Sequence, residues 1–292
     1  MLSGFWSRFT FLFKMNRFDH IYIHREFTPL GPGILQRLAL ASFKGNVVFD
    51  FDDAIWMKNF SDGNKAFAWM KRHDNALFLM RKSQVNACGN RYLQNKAKEF
   101  NANSIFMPTT IRLDHHKHAT QKPTDKIIVG WTGSHSTIKY LEEIVPQLKK
   151  AYANMPFTLR VISDIEPQID FEALEFVRWN PKTEVEALLD MHIGLMPLPD
   201  ENWTLGKCSL KALQYMATGT LALVSPVGAN LDIVKDGESG VLVKEHEWAE
   251  KLEKSIAGFS DSGAIRQGAK NFVESHYSRK ANLANFLALF AN

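Results

Sequence analysis

Cysteine is nearly absent from this chain of 292 residues: there are two, Cys88 and Cys208, far apart. That excludes a disulfide framework and a cysteine-based metal motif, and a reducing, cytosolic compartment is the expectation. Long apolar runs are missing too, since none approaches the ~20 residues a membrane-spanning helix requires. The opening "MLSGFWSRFTFLFKMNRF" is aromatic and basic. Its apolar stretch "FTFLF" is too short to span a bilayer, and it lacks the small-residue cleavage site of a signal peptide. Two readings stay open for it: an interfacial helix lying on a membrane, or an amphipathic helix packed on its own domain. No tandem repeat of fixed period is present, and no nucleic-acid motif accompanies the charge.

What is present is a soluble composition, 45% hydrophobic and 23% charged, in a chain long enough for two domains. The net charge of +4 hides an asymmetry, because residues 1–125 hold 18 Lys and Arg against 10 Asp and Glu while the remainder is acidic. A basic front half suits an anionic partner such as a phospholipid surface or a lipid-linked phosphate; an uneven solvated surface is the plain alternative.

Short apolar runs alternate with helical patterns throughout. Strands are predicted over 20–24, 46–51, 84–89 and 104–110, with helices over 33–42, 63–84 and 90–100. The polar stretch 112–126, "RLDHHKHATQKPTDK", interrupts the alternation and reads as an interdomain linker. Its His115, His116 and His118 have no carboxylate or cysteine at helical ligand spacing, which favours a solvated linker over a metal site. The pattern then restarts with strands over 126–134, 157–163, 174–179, 192–198, 220–226 and 239–243. Helices are predicted over 137–153, 183–191 and 207–217, and the chain from 245 to 292 reads as helical. Strand-helix repetition of this kind predicts parallel βαβ units, hence an α/β fold of two Rossmann-like domains.

Ligands of open parallel sheets bind beyond the carboxyl ends of strands. Three such ends carry unusual residues. In "WTGSHST" (131–137), Gly133 permits close approach of the backbone, and Ser134 opens a loop whose free N–H groups suit a phosphate. In "PLPDENWTLGKCSLK" (197–211) the loop is longer than a connection needs. Lys207 is placed at the start of the following helix, with Lys211 and Gln214 after it. A Lys207–Lys211 pair at i,i+4 repels itself unless an anion lies between; two lysines turned to water is the other reading. In "SPVGAN" (225–230), Gly228 and Asn230 follow a strand that reads as buried on both faces. In the front half, "DFDDAIW" sets Asp52 and Asp53 just past a buried strand, as cleft residues or, for Asp53, as a helix cap. His24 and Arg25 end the neighbouring strand as weaker candidates for the same cleft.

The segments "VGWTGSHST", "IGLMPLPDENWTLGKCSLKALQYMATGT" and "VSPVGANLDIVKDGESGVLV" resemble the donor half of retaining nucleotide-sugar glycosyltransferases of the large family four. That family has the two-Rossmann-domain GT-B architecture. "HIYIHRE", "VVFDFDDAIW", "CGNRYLQNKA" and "MPTTIRLD" resemble its front half. The resemblance implies sugar transfer from a nucleotide-diphosphate sugar to a glycan or lipid-linked acceptor, with retained configuration. It places donor binding in the C-terminal domain and acceptor binding in the N-terminal one. It implies no metal or other cofactor, because loop amides and basic side chains neutralise the leaving diphosphate. By motif, Gly133 and Ser134 face the phosphates and Lys207 contacts the diphosphate. Gln214 stands where relatives have a ribose-binding glutamate, and Gly228 to Asn230 border nucleotide and sugar. Asp52 or Asp53 is expected to contact the acceptor hydroxyl or the sugar.

Three departures from the family pattern stand out. Gly206 and Gln214 replace two glutamates, although Asp200 or Glu201 can reach in from the same loop. His192 stands where aspartate is common. Only 19 residues precede His20, so the N-terminal domain is expected to lack its first βαβ unit. The domain expectation is 1–118 on the acceptor side, 119–275 on the donor side, and a helix over 276–292 packing back toward the front domain. The functional expectation is a cytoplasmic enzyme of bacterial surface-polysaccharide synthesis, peripheral at the inner membrane face. A donor-binding protein without turnover is the alternative. A phosphorylase is disfavoured by the lack of a pyridoxal-phosphate lysine motif.

Overall fold

The apolar runs fold into two parallel sheets. The computed structural model describes residues 2–28, 33–57, 73–116, 122 and 126–291. Strands β1 (His20–His24), β2 (Asn46–Phe51), β3 (Val85–Cys88) and β4 (Ser104–Phe106) lie side by side in chain order, all parallel. Six more form the second sheet: β5 (Ile128–Thr132), β6 (Thr158–Ser163), β7 (Leu174–Arg178), β8 (Ile193–Met196), β9 (Leu221–Val224) and β10 (Val241–Leu242). Their spatial order is β10-β9-β8-β5-β6-β7, again all parallel. The chain therefore runs outward from β5 to β7 and returns to the other side of β5 at β8. That reversal is the topological switch point of a doubly wound sheet, where a crevice opens at the strand ends.

The chain divides into two compact units. One comprises residues 1–108, 205–208 and 283–292; the other comprises 109–204 and 209–282. The first boundary falls ten residues before the expected 118, because Ile111 is already built into the second unit. It is buried, pairs with Ser278 and donates its N–H to Tyr277 O. In the first unit, the last helix sets Phe286 and Phe290 against Tyr22, while Leu289 joins a cluster with Val48, Ala87 and Met107. The segment 205–208 also belongs there, which no periodicity in the sequence signals.

Several predicted elements are shorter than expected. The helix over 137–153 is two, Lys139–Glu142 and Val145–Asn154, with Pro146 in the first turn of the second, where its missing N–H costs nothing. The 104–110 strand stops at Phe106, two residues before Pro108. The C-terminal helical region is broken at Tyr277 and Ser278, where the chain pairs with Ile111. Of the helix expected over 63–84, Asp74–Lys82 is described, and the earlier part lies outside the described residues. So do His118 and much of the expected linker.

Candidate functional site

The donor-side candidates gather at the switch point of the second sheet. Tyr215, wholly buried on helix Leu210–Thr218, accepts the N–H of Thr132 from β5 at 3.2 Å and donates to Leu195 O of β8 at 3.2 Å. One hydroxyl thus ties together the two strands between which the crevice opens. Burial raises its pKa, with the charge of Glu184 adding to the rise. Gly194 makes room for that ring, since a Cβ there falls 2.4 Å from it.

Lys211, one turn before Tyr215 on the same helix, sets its Nζ 4.1 Å from the Trp131 ring centroid, a cation–π contact. The same ammonium borders Gly133: a Cβ at that glycine falls 2.6 Å from Lys211 Nζ and 2.4 Å from the Trp131 ring. Gly133 is therefore required by crowding, and the Gly133 loop and the Lys211 cation occupy one spot. Beyond it Ser134 Oγ and Ser136 Oγ share a hydrogen bond of 2.8 Å. His135 is held to Asp164, past β6, through its N–H at 2.7 Å and its ring Nδ1 at 2.6 Å. Hydrogen bonding to His135 outweighs desolvation and lowers the Asp164 pKa.

The third strand end is fixed by Asn230, which is fully buried. Its Oδ1 accepts Ser209 Oγ at 2.6 Å and its Nδ2 donates to Ser225 O at 2.9 Å. Both ends of this amide serve to pin the 225–230 turn to the start of helix Leu210–Thr218. Gly228 in that turn has φ 55°, in the left-handed region that favours glycine. Gln214 is buried and donates its Nε2 to Glu184 Oε1 at 3.1 Å. Asp200 and Glu201 are exposed on the loop after β8.

Lys207 is where sequence reasoning and structure differ. The helix begins at Leu210, after Ser209 in the left-handed conformation with φ 56°. Lys207 therefore precedes the helix and forms no i,i+4 pair with Lys211. In the first unit its Nζ donates to Asp53 Oδ1 at 2.8 Å. Arg25 completes that cluster, with Nε on Asp52 Oδ1 at 2.5 Å and Nη2 on Asp53 Oδ2 at 2.7 Å. Burial works against the guanidinium's charge, but the hydrogen bond and charges of Asp52 and Asp53 win and raise its pKa. Arg25 adopts φ 59°, a strained conformation for a side chain of this size and one found most often at functional sites. Among the described residues, Asp53's carboxylate is thus met by two cations rather than by the main-chain N–H groups of a helix start. Cys208 Sγ lies 3.1 Å from Asp52 O, and Asn90 donates to the carbonyls of Leu205 and Lys207 at 3.0 and 2.9 Å. Asn90, which sequence reading missed, also caps its own helix by accepting Leu93 N–H. Beside this cluster His24 Nδ1 lies 2.6 Å from Asp50 Oδ2; burial raises the pKa of Asp50 against the pull of that bond.

His192 has a structural place: buried, it accepts Ile128 N–H on Nδ1 at 3.0 Å and meets Phe259 edge to face. Among the described residues no cluster of His, Cys, Asp or Glu is arranged to hold a metal ion. His116 in the former linker donates from Nδ1 to Arg112 O at 3.0 Å, and burial lowers its pKa.

Residues 126–259, somewhat under half of the chain, match the family described as glycosyl transferases group 1. No curated protein matches the sequence. Among solved structures, HepE of Anabaena in complex with UDP and glucose is similar with a TM-score of 0.73 at 13% identity, covering 98% of this chain and 81% of that one. The sucrose-phosphate synthase of Thermosynechococcus elongatus has a TM-score of 0.70 at 14% identity, covering 97% and 75%. S. aureus TarM in complex with fondaparinux, alpha-GlcNAc-glycerol and UDP has a TM-score of 0.69 at 12% identity and covers 88% of this chain; the chain spans 54% of TarM. At these identities the likeness is one of fold: α/β, with parallel sheets, of the GT-B type.

Proposed function

We propose that this chain transfers a glycosyl unit, with retention, from a nucleotide-diphosphate sugar to a glycan or lipid-linked acceptor in bacterial surface-polysaccharide synthesis. The observation that carries the proposal is the juxtaposition of the Gly133 loop and the Lys211 ammonium at the switch point of the second sheet. A loop of main-chain N–H groups beside a fixed cation is suited to a diphosphate, and neutralising that leaving group is the main electrostatic task of the reaction. The group 1 match spans this region, and similar folds are found with UDP or UDP-glucose. No cofactor is needed in this scheme. Ser134, Gly228 and Asn230 shape the donor site, Asn230 by pinning its turn. Lys207, assigned to the diphosphate by resemblance, is paired with Asp53 in the first unit. Asp52 or Asp53 contacts the acceptor hydroxyl or the sugar.

The protein works in the cytoplasm at the inner membrane face in this reading. Supporting that placement are the exposed Trp6, Phe9, Phe13 and Phe18, interleaved with Arg8, Lys14 and Arg17. A donor-binding protein without turnover is the second reading, favoured by the ion pairs that engage both Asp52 and Asp53.

The test is a thermal-shift screen of the purified chain against UDP, GDP, ADP and CMP, followed by the sugar nucleotides of whichever binds. A ligand specific for the folded state raises its melting temperature by an amount set by concentration over affinity. A selective shift followed by release of nucleotide with acceptor present supports transfer. A shift without turnover selects the second reading, and no shift from any of the four defeats the donor site.

A further inference from the structure

Strand β1 stands at one edge of the front sheet, and β2 is its only strand partner among the described residues. In a parallel ladder the main-chain groups of successive residues point to alternate sides. Arg25 N–H donates to Asp50 O and Asp19 O accepts Asn46 N–H, so the odd positions of β1 serve β2. His20, Tyr22 and His24 therefore turn their N–H and C=O groups away from β2. Of these groups, His24 O already accepts Glu26 N–H. That side opens into a cavity of about 300 Å³ lined by the whole of β1 together with Phe11, Phe18 and Phe27. β1 holds neither lysine nor proline, the usual blocks against pairing at a sheet edge. Beside it, helix Arg279–Ala288 carries Leu283, Phe286 and Leu287 three and four apart, hence on one stripe. Leu283 is 56%, Phe286 40% and Leu287 59% exposed, and Tyr22, 41% exposed, meets the Phe286 ring at 5.9 Å between centroids. Strand edge and apolar stripe thus form one continuous face of the first unit.

We propose that this face is the interface of a symmetric dimer, its occupant a second copy of this chain. The proposal is independent of the donor-site reading. Whatever covers the face must offer a strand edge and an apolar helix stripe side by side. An extended peptide brings only the first, whereas a second copy brings both. A two-fold axis at Tyr22 runs the two β1 strands antiparallel, each presenting the same patch to the other. The two copies of Tyr22 then form a hydrogen-bonded pair, and His20 of each lies opposite His24 of the other. The four strands of each front sheet join into one sheet, and the helix stripes meet on the face that Tyr22 shares with Phe286. Four half-covered side chains leave on the order of 350 Å² of apolar surface on each copy. The strand edge and the cavity walls bring the face toward the ~800 Å² per partner of a standard interface.

Sedimentation equilibrium of the full chain over about 1–100 μM tests this, a range that populates the dimer of an interface of this size. The wild type should sediment as a dimer at the upper end. Leu287→Asp puts a charge on the stripe and should raise the dissociation constant about tenfold or more. Tyr22→Pro removes the N–H that points away from β2, so it blocks the edge while sparing the ladder, and should do the same. Melting temperatures close to the wild type show that both variants are folded. Mild oxidation of Tyr22→Cys should cross-link two copies, because the axis sets position 22 against itself. Leu231→Cys, an exposed position in the second unit, should stay uncross-linked. A chain that remains monomeric throughout overturns the proposal, as does a dimer that neither Leu287→Asp nor Tyr22→Pro weakens. Monomers that bind phosphatidylglycerol vesicles through Leu287 also overturn it and assign the stripe to a lipid surface.

Discussion

Lys207 Nζ stands 2.8 Å from Asp53 Oδ1, an ion pair in which each side chain is less than a quarter exposed. It joins residues 154 positions apart within the first unit. Because Arg25 also binds Asp53, at 2.7 Å, the carboxylate holds two cations in place.

Removal of either end should therefore be felt by the other. In a double-mutant cycle, Asp53→Asn and Lys207→Met should each lower stability, with a coupling of about 1–2 kcal/mol. Urea unfolding of the four proteins measures it. Strict additivity would mean the pair contributes nothing beyond its separate groups.

The proposed donor cradle depends on a glycine that has no room for a methyl group. Gly133→Ala should push Lys211 off Trp131, because the buried indole cannot give way as easily as the end of a lysine. Pyrophosphate and nucleotide affinity should fall about tenfold. Lys211→Met should cost 10- to 100-fold, about 1.5–3 kcal/mol, for loss of a charge-assisted contact. Calorimetric titration checks both, and affinities equal to the wild type would remove Lys211 from the site.

Tyr215 is a stability prediction. Tyr215→Phe deletes the hydroxyl that bridges Thr132 N and Leu195 O and changes nothing in the ring's packing against Gly194. The expected cost is about 1–3 kcal/mol, since a buried N–H loses an acceptor. Chemical denaturation of wild type and variant decides.

Stability should depend on pH through Lys122. Burial, with the nearby Arg266 charge, lowers its pKa to about 7 against a partial offset from Asp190, while the amine reaches Met191 O and Thr220 Oγ1. Between about 7 and the ordinary value of 10.5 the unfolded chain holds a proton that the folded chain sheds. Stability must then rise with pH across that window. Below pH 7 both states are protonated and the penalty is fully present. The difference in melting temperature between Lys122→Met and wild type should accordingly be most positive below pH 7 and shrink toward pH 10. A difference that does not vary with pH would contradict this.

The aromatic N-terminal segment should bind anionic membranes. Trp6 is 66% and Phe13 76% exposed, and the first acidic residue is Asp19. Co-sedimentation with phosphatidylglycerol vesicles should be strong at low salt, weaker at high salt and absent with purely zwitterionic vesicles. Trp6→Ala combined with Phe13→Ala should abolish it. Retention of binding by that variant would place the contact elsewhere.

Local pattern made much of this molecule legible. β9 reads as an unbroken apolar run because both its faces are covered, and Gly219 ends its helix at φ 73°, the left-handed C-cap conformation that favours glycine. Lys207 shows where such reasoning stops. Helical periodicity continues through residues 207–211, but Ser209 takes a left-handed conformation that starts the helix later. Ser209's bond to the buried Asn230 accompanies that turn, and it is a contact between residues 21 positions apart. Glu184 was equally hidden, since an acid in the first turn of a short helix is ordinary until Gln214 is found against it.

By itself, then, the sequence determined the alternation of strands and helices, the parallel sheets, and the strand-end loops that carry Gly133 and Gly228. These follow from side-chain period, glycine geometry and the apolar character of buried strands, all properties of neighbours along the chain. Only the tertiary structure decided which side chains pair: Lys207 with Asp53, Arg25 with both aspartates, Glu184 with Gln214. Such pairings depend on distances of a few ångströms between segments far apart in sequence, and the energy of an ion pair or a buried hydrogen bond is set by that distance and by burial.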